Sequence, residues 1–210
     1  MSQLKLTADG GGGTVSLKGP STTTGNAAIE LTVPGTGNAT LLTSATSTGK
    51  ILQVVQGGTN VASSASVASQ AISDTGIQVS ITPSSASSKI LIIATITGCT
   101  SNAINNFAML LQKKTGSGSF GDITAANGAA SSNRYTAMSG TYMGNTYSNY
   151  GVHFNYLDTA GSTDALIYRA VYFNSSSSTR TVYINRAHND SDSNSTARTS
   201  SWIQALEVAA

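Results

Sequence analysis

Charge is what this sequence has least of. Charged side chains make up 10% of its 210 residues, against about a quarter in an ordinary globular protein. Eleven Lys and Arg oppose nine Asp and Glu for a net charge of +2. The basic residues are scattered, and Lys113-Lys114 is the only adjacent pair, which reads as a solvated strand end. A nucleic-acid surface needs clustered cations to displace counterions, so that partner class is not expected. Cys99 is the single cysteine, which excludes an intrachain disulfide and reads as a small buried residue. Proline is scarce, at three, and the 21 glycines follow no triplet repeat, excluding a proline-rich linker and collagen. Apolar runs such as Ile90–Ala94 are far too short for a membrane span, so no membrane insertion is expected. The first residues alternate instead of forming a signal-peptide core. The expected place of synthesis is therefore a cytoplasm, with release by lysis or within a particle. Helical periodicity with caps is missing too.

What remains is period-two alternation in a Gly-, Ser-, Thr-, Asn- and Ala-rich background. Ile77, Val79 and Ile81 alternate up to Pro83; Val152, Phe154 and Tyr156 alternate likewise. Strands are also expected at Lys50–Gln56, Asn106–Lys114, Ala165–Phe173, Arg180–Arg186 (Val182 and Ile184 inward, Tyr183 outward) and Ser201–Val208. Lys89–Thr97 is apolar at both parities, as in a central strand covered on both sides. Val61–Ile72 reads as loop plus a short strand. Gly116–Asn133 is a long polar stretch whose large apolar anchors are Phe120 and Ile123. About seven or eight strands between 50 and 210 predict an all-β, jelly-roll-like β-sandwich.

Residues 1–49 differ. Short alternating segments carry Leu4, Leu6, Val15, Leu17, Ile29, Leu31 and Val33, interrupted by Gly10–Gly13 and by Pro20–Asn26. So few large apolar side chains cannot bury a core alone. The segment is expected to be an extended β piece for oligomerisation and attachment, with those seven residues as its contacts.

The opening Gln3-Leu-Lys-Leu-Thr-Ala-Asp-Gly-Gly-Gly-Gly-Thr-Val-Ser-Leu-Lys-Gly-Pro-Ser, with Ile29-Glu-Leu-Thr-Val-Pro, resembles the N-terminal module of virion structural and tail-fibre-like proteins of marine and cyanobacterial tailed phages. Gly49-Lys-Ile-Leu-Gln-Val-Val-Gln, Val79-Ser-Ile-Thr-Pro-Ser-Ser-Ala-Ser-Ser-Lys-Ile-Leu, Thr181-Val-Tyr-Ile-Asn-Arg and Ala205-Leu-Glu-Val-Ala-Ala resemble their C-terminal β module. The resemblance implies a homotrimer mounted on other virion proteins, with the sandwich facing outward. No repetitive shaft separates the two modules, which favours a compact spike, knob or decoration over a long fibre.

Motifs that would carry catalysis or cofactors are weak. Gly10–Gly13 is followed by a strand and lacks the Lys-Ser/Thr of a phosphate loop. Asp190, Asp192 and Asn194 alternate like the start of a calcium loop, but Ser195 and Ser201 stand where an EF-hand needs Gly and Glu. His153 and His188 are the only histidines and have no third ligand at fitting spacing. Asp158 and Asp164 read as turn residues. No Gly-x-Ser-x-Gly elbow is present. The expectation is a non-enzyme without cofactor or metal. The aromatic cluster is more informative: Arg134, Tyr135, Tyr142, Asn145, Tyr147, Asn149 and Tyr150, with Asn133 and Tyr156 beside it. Tyrosine rings stack on sugars and amides bond hydroxyls, so these residues are expected at a host-surface glycan or at a trimer interface.

The resulting expectation is an N-terminal segment over 1–49 and a sandwich over 50–210. It is a phage virion protein forming a homotrimeric fibre-, spike- or knob-like appendage, tail-associated and aiding host attachment. Capsid decoration or cement is the first alternative and a free glycan-binding lectin the second.

Overall fold

The computed structural model describes residues 4–7, 14–17, 50–102, 106–129, 132, 134–194 and 196–210, the first two stretches as backbone only. The chain divides into two compact units, Met1–Thr43 and Ser44–Ala210. In the first, β1 (Leu4–Thr7) and β2 (Thr14–Leu17) form an antiparallel hairpin with Leu4 opposite Leu17 and Leu6 opposite Val15. The side chains of these four, and Ile29, Leu31 and Val33 altogether, lie outside the described residues.

The second unit is a sandwich of two antiparallel sheets, as the alternation predicts. One sheet runs β3 (Ile51–Thr59), β13 (Ser201–Val208), β6 (Lys89–Thr100), β10 (Tyr150–Thr159). The other runs β5 (Ile72–Ile81), β11 (Leu166–Phe173), β7 (Asn106–Thr115), with β8 (Gly121–Asp122) and β9 (Ser139–Tyr142) both pairing with β7. A further antiparallel pair, β4 (Ser63–Val67) with β12 (Arg180–Ile184), continues the first sheet where β12 meets the end of β6. Successive strands pass from one sheet to the other, β5 to β6 to β7 and β10 to β11 to β12, which is the strand order of a jelly roll. Among the described residues no helix is long and apolar enough to cross a membrane.

Alternation supplies the core. Ile90, Ile92, Ala94 and Ile96 of β6 and Ile203 and Ala205 of β13 face Ile77, Val79, Phe107, Met109, Leu166, Tyr168 and Tyr172 across the sandwich, all buried. Burying each large aliphatic side chain contributes roughly 1.5–3 kcal/mol. The sheets touch where β3 passes β5: a Cβ on Gly57 would lie 1.8 Å from the carbonyl oxygen of Gln78. Only a residue without a side chain fits there.

Polar clips close the ends. Asn185 sits in the left-handed region (φ 61°) after β12. Its amide donates to the Thr59 and Val61 carbonyls and its Oδ1 accepts from Ser201 and Thr97. That knot lies where β6 exchanges β13 for β12 as its neighbour. Lys113 differs from the expected solvated strand end. It points inward, pairs with Asp158 at 2.8 Å and donates to the Thr159 and Ala160 carbonyls. Tyr168 donates to the same carboxylate; burial first, then that contact, raises its pKa. Asp158 is thus a cross-sheet anchor rather than a turn residue. Tyr183, expected to point outward, is covered by His188 stacked at 5.1 Å and by the Arg186 guanidinium. Cys99 is buried as expected, and burial pushes its thiol up to about 11.

Glu207 is the least foreseeable residue of the core. It is fully buried on β13 and accepts from the Ser84 amide (2.8 Å), the Ser84 hydroxyl (2.7 Å) and Gln53 Nε2 (2.6 Å). Burial alone would raise its pKa, but donors from Ser84, Gln53 and Ser88 outweigh it and hold the carboxyl at about 2. The folded value lies below the ordinary 4.5, so the folded state binds fewer protons than the unfolded chain between the two. The contribution of Glu207 is complete above pH 4.5 and lost as pH falls toward 2. Urea denaturation from pH 7 to pH 2 should show the midpoint falling across that window. Glu207→Gln should lower stability at pH 7 by on the order of 2 kcal/mol and flatten the acid limb.

Candidate recognition loop

The loop between β9 and β10 gathers five of the seven residues expected in the aromatic patch. Met143, fully buried, roots it: its sulfur accepts the Thr100 amide at 3.3 Å. The Tyr150 hydroxyl accepts two backbone N–H groups, those of Gly144 and Asn145, each at 2.9 Å. Asn145 Oδ1 then accepts the amides of Tyr147 (2.9 Å) and Ser148 (3.0 Å), an Asx turn. The neighbouring segment is tied in as well. Asn149 Nδ2 donates to the Ala197 carbonyl, and the Asn189 amide to the Thr146 carbonyl.

These bonds sort the patch by role. Tyr150, Asn145 and Asn149 build the loop. Tyr142 and Tyr147 are displayed by it, at 60% and 63% exposure. A ring held on a backbone with its turns already hydrogen-bonded loses little entropy on binding, which is the physical advantage of a preorganised recognition surface. Tyr135 is held differently. Its ring tilts at 47° against Phe173 of β11, 5.3 Å between centroids, over the outer face of the second sheet. There it borders a shallow depression of about 250 Å³ with Asp122, Thr124 and Asn127. Arg134, just before it, is exposed. Asn133 lies outside the described residues. Tyr156 packs against the core. Within the expected patch Tyr135 is thus anchored to the sheet, whereas Tyr142 and Tyr147 are carried by the loop.

The loop also has a defined place along the sandwich. Tyr150 pairs with Gly98 at one end of β6, whereas Thr159 and Val208 pair with Lys89 at the other. Lys50 is at that second end, its carbonyl accepting the Ala209 amide. Nine residues of strand, about 30 Å, separate the point where residue 50 enters the sandwich from the base of the loop.

The segment after β12 does not have the character of a cation loop. The Asp190 carboxylate is bound by Arg186 at 3.0 Å and by Arg198 at 3.1 and 2.6 Å. Hydrogen bonds from Arg198 and then Arg186 lower its pKa. Two guanidinium groups stand where a metal ion would supply the positive charge. No group of three His, Cys, Asp or Glu able to hold a metal occurs among the described residues. His153 lies on an open sheet face with Nδ1 3.1 Å from the Thr95 hydroxyl.

The sequence matches no protein-family model and no curated protein.

Tyr150→Phe removes the acceptor of two N–H groups without changing ring volume. Hydrogen exchange at the Gly144 and Asn145 amides should accelerate about tenfold, corresponding to about 1.4 kcal/mol of lost loop stability. The melting of the sandwich itself should change little.

Proposed function

We propose that this chain is a structural protein of a tailed-phage virion. It works as a homotrimeric fibre-, spike- or knob-like appendage near the tail and helps the particle attach to its host. Residues 1–49 mount it on other virion proteins, and the sandwich presents the tyrosine loop outward. It is not an enzyme and uses no cofactor.

The observation that carries this reading is the lengthwise polarity of the sandwich. The chain enters at Lys50 at one end, and Tyr142 and Tyr147 are displayed at the other. A sandwich that the chain enters at one pole and that displays its rings at the opposite pole suits an appendage. Two rigid amphipathic rings flanked by backbone and amide groups suit the alternating apolar faces and hydroxyls of a surface glycan. Jelly rolls serve in viral shells and in lectins.

Particles carrying Tyr142→Ala with Tyr147→Ala should adsorb to host cells at least about tenfold more slowly, the loss of about 1.4 kcal/mol of binding, with the melting temperature of the purified protein unchanged. Unaltered adsorption together with a heat-fragile capsid on removing the protein would move the assignment to head decoration. Specific glycan-array binding by a chain that is never retained on purified particles would move it to a free lectin.

A further inference from the structure

The two sheets treat their outer faces differently. On the second sheet the chain covers its own work. The segment between β8 and β9 folds back over β7 and β11, with Tyr135 against Phe173, and Phe120 nearby lies 3.7 Å over the Arg169 guanidinium. The outward residues Ala108, Leu110 and Val171 are buried in consequence. Beside them a polar row crosses the strands, Asp74 to Arg169 to Gln112 to Asp122, every link a hydrogen bond of 2.7–2.8 Å.

Nothing among the described residues does this for the first sheet. Register places Val54, Leu206, Leu91 and Leu157 side by side, one from each of β3, β13, β6 and β10. All four have outward parity, and Val54 and Leu157 are 58% and 54% exposed. The next row adds Ile93 between Gln204 and Asn155, and the one after it adds Trp202 beside Thr95. These three rows contain no carboxylate, ammonium or guanidinium group; their one imidazole is that of His153, opposite Thr95. The nearest charge is Lys89 at one end, donating to Thr159.

We infer that this outer face of the first sheet is the contact between copies of this chain. Three features favour a second copy over another occupant. An uncharged face has no like-charge repulsion against its own image, and its Gln204–Gln56 pair leaves amide groups that serve equally as donors and acceptors. The apolar row runs from edge strand to edge strand, so both halves of the face are apolar. The β3–β13 half of one copy can then lie on the β6–β10 half of the next, as closure about a three-fold axis demands. Four strands at about 4.8 Å and about seven residues at about 3.4 Å give on the order of 450 Å² in plan, before side-chain relief is counted. Shared between two neighbours, that is on the order of 225 Å² of each copy per contact, small beside the roughly 800 Å² of a standard stable contact, so the three contacts of the ring hold together rather than singly. A shallow notch of about 260 Å³ between Ile93, Thr95, Trp202 and Gln204 offers a seat for an opposing side chain. Only the stoichiometry of three rests on the proposed function; the choice of face does not.

The test uses the full chain. Multi-angle light scattering at micromolar concentration should give the mass of a trimer. Val54→Lys with Leu157→Lys, both at exposed positions that tolerate a long polar side chain, should weaken association at least about a hundredfold while the circular dichroism spectrum is retained. Because Cys99 is buried, Gln204→Cys provides the one accessible thiol. It should react with a maleimide at least about tenfold more slowly in the otherwise native chain than in the double-lysine background. An oligomer that survives the double substitution, with equal thiol rates in both backgrounds, overturns the inference. A native dimer broken by the lysines upholds this face and overturns the trimer. A native monomer with a fast thiol overturns both. A native monomer with a protected thiol assigns the cover to residues 1–49 of the same chain and overturns contact between copies.

Discussion

A two-layer sandwich has four sheet faces and can bury only two of them against each other. Everything else in this unit follows from how the remaining two are handled. The second sheet spends a long excursion between β8 and β9 on sealing its outer side. Among the described residues the first sheet has nothing comparable, and leucine, valine and tryptophan stay on its surface. An antiparallel sheet with one solvated face ordinarily reads as a clean in–out alternation. β6 breaks that rule, since Leu91 and Ile93 are as apolar as the core residues between them.

The polar groups inside the sandwich are placed where strands change partners. Asn185 occupies the junction at which β12 hands β6 over to β13. Glu207 joins β13 to Gln53 of β3 and to the turn that leads into β6. The Lys113–Asp158 pair joins strands of opposite sheets, with Tyr168 completing the carboxylate's bonds. Removing one member of such a set leaves its partner desolvated and unpaired, so these residues fix register and strand order beyond their modest net contribution to stability.

Much of this was legible in the sequence because an antiparallel strand writes its orientation into every second residue. Ile77–Ile81, Val152–Tyr156 and Ser201–Val208 are strands whose buried parity matches their alternation. The short strand within Val61–Ile72 is present as β4. What was not legible depends on which neighbours meet. Apolarity at both parities of β6 says that both faces are greasy, not what covers each, and among the described residues nothing covers one of them. Lys113 looks like a surface residue until Asp158, on another strand, comes within 2.8 Å of it. The tyrosines of the patch are identical in the sequence. Only the turn geometry reveals that the Tyr150 hydroxyl holds backbone while Tyr142 and Tyr147 are free to touch something else. Likewise Asp190 resembles the first ligand of a cation loop until Arg198, eight residues on, closes over it.

The neutrality of the open sheet has a bearing on the surroundings in which the chain can work. Attraction between fixed charges fades as dissolved ions crowd around them, with a reach of about 10 Å at 0.1 M and about 3 Å at 1 M. Rows built from leucine, valine and glutamine offer such ions nothing to screen, and excluded salts strengthen apolar burial slightly. A contact of this composition would hold no less firmly in brine than in dilute buffer.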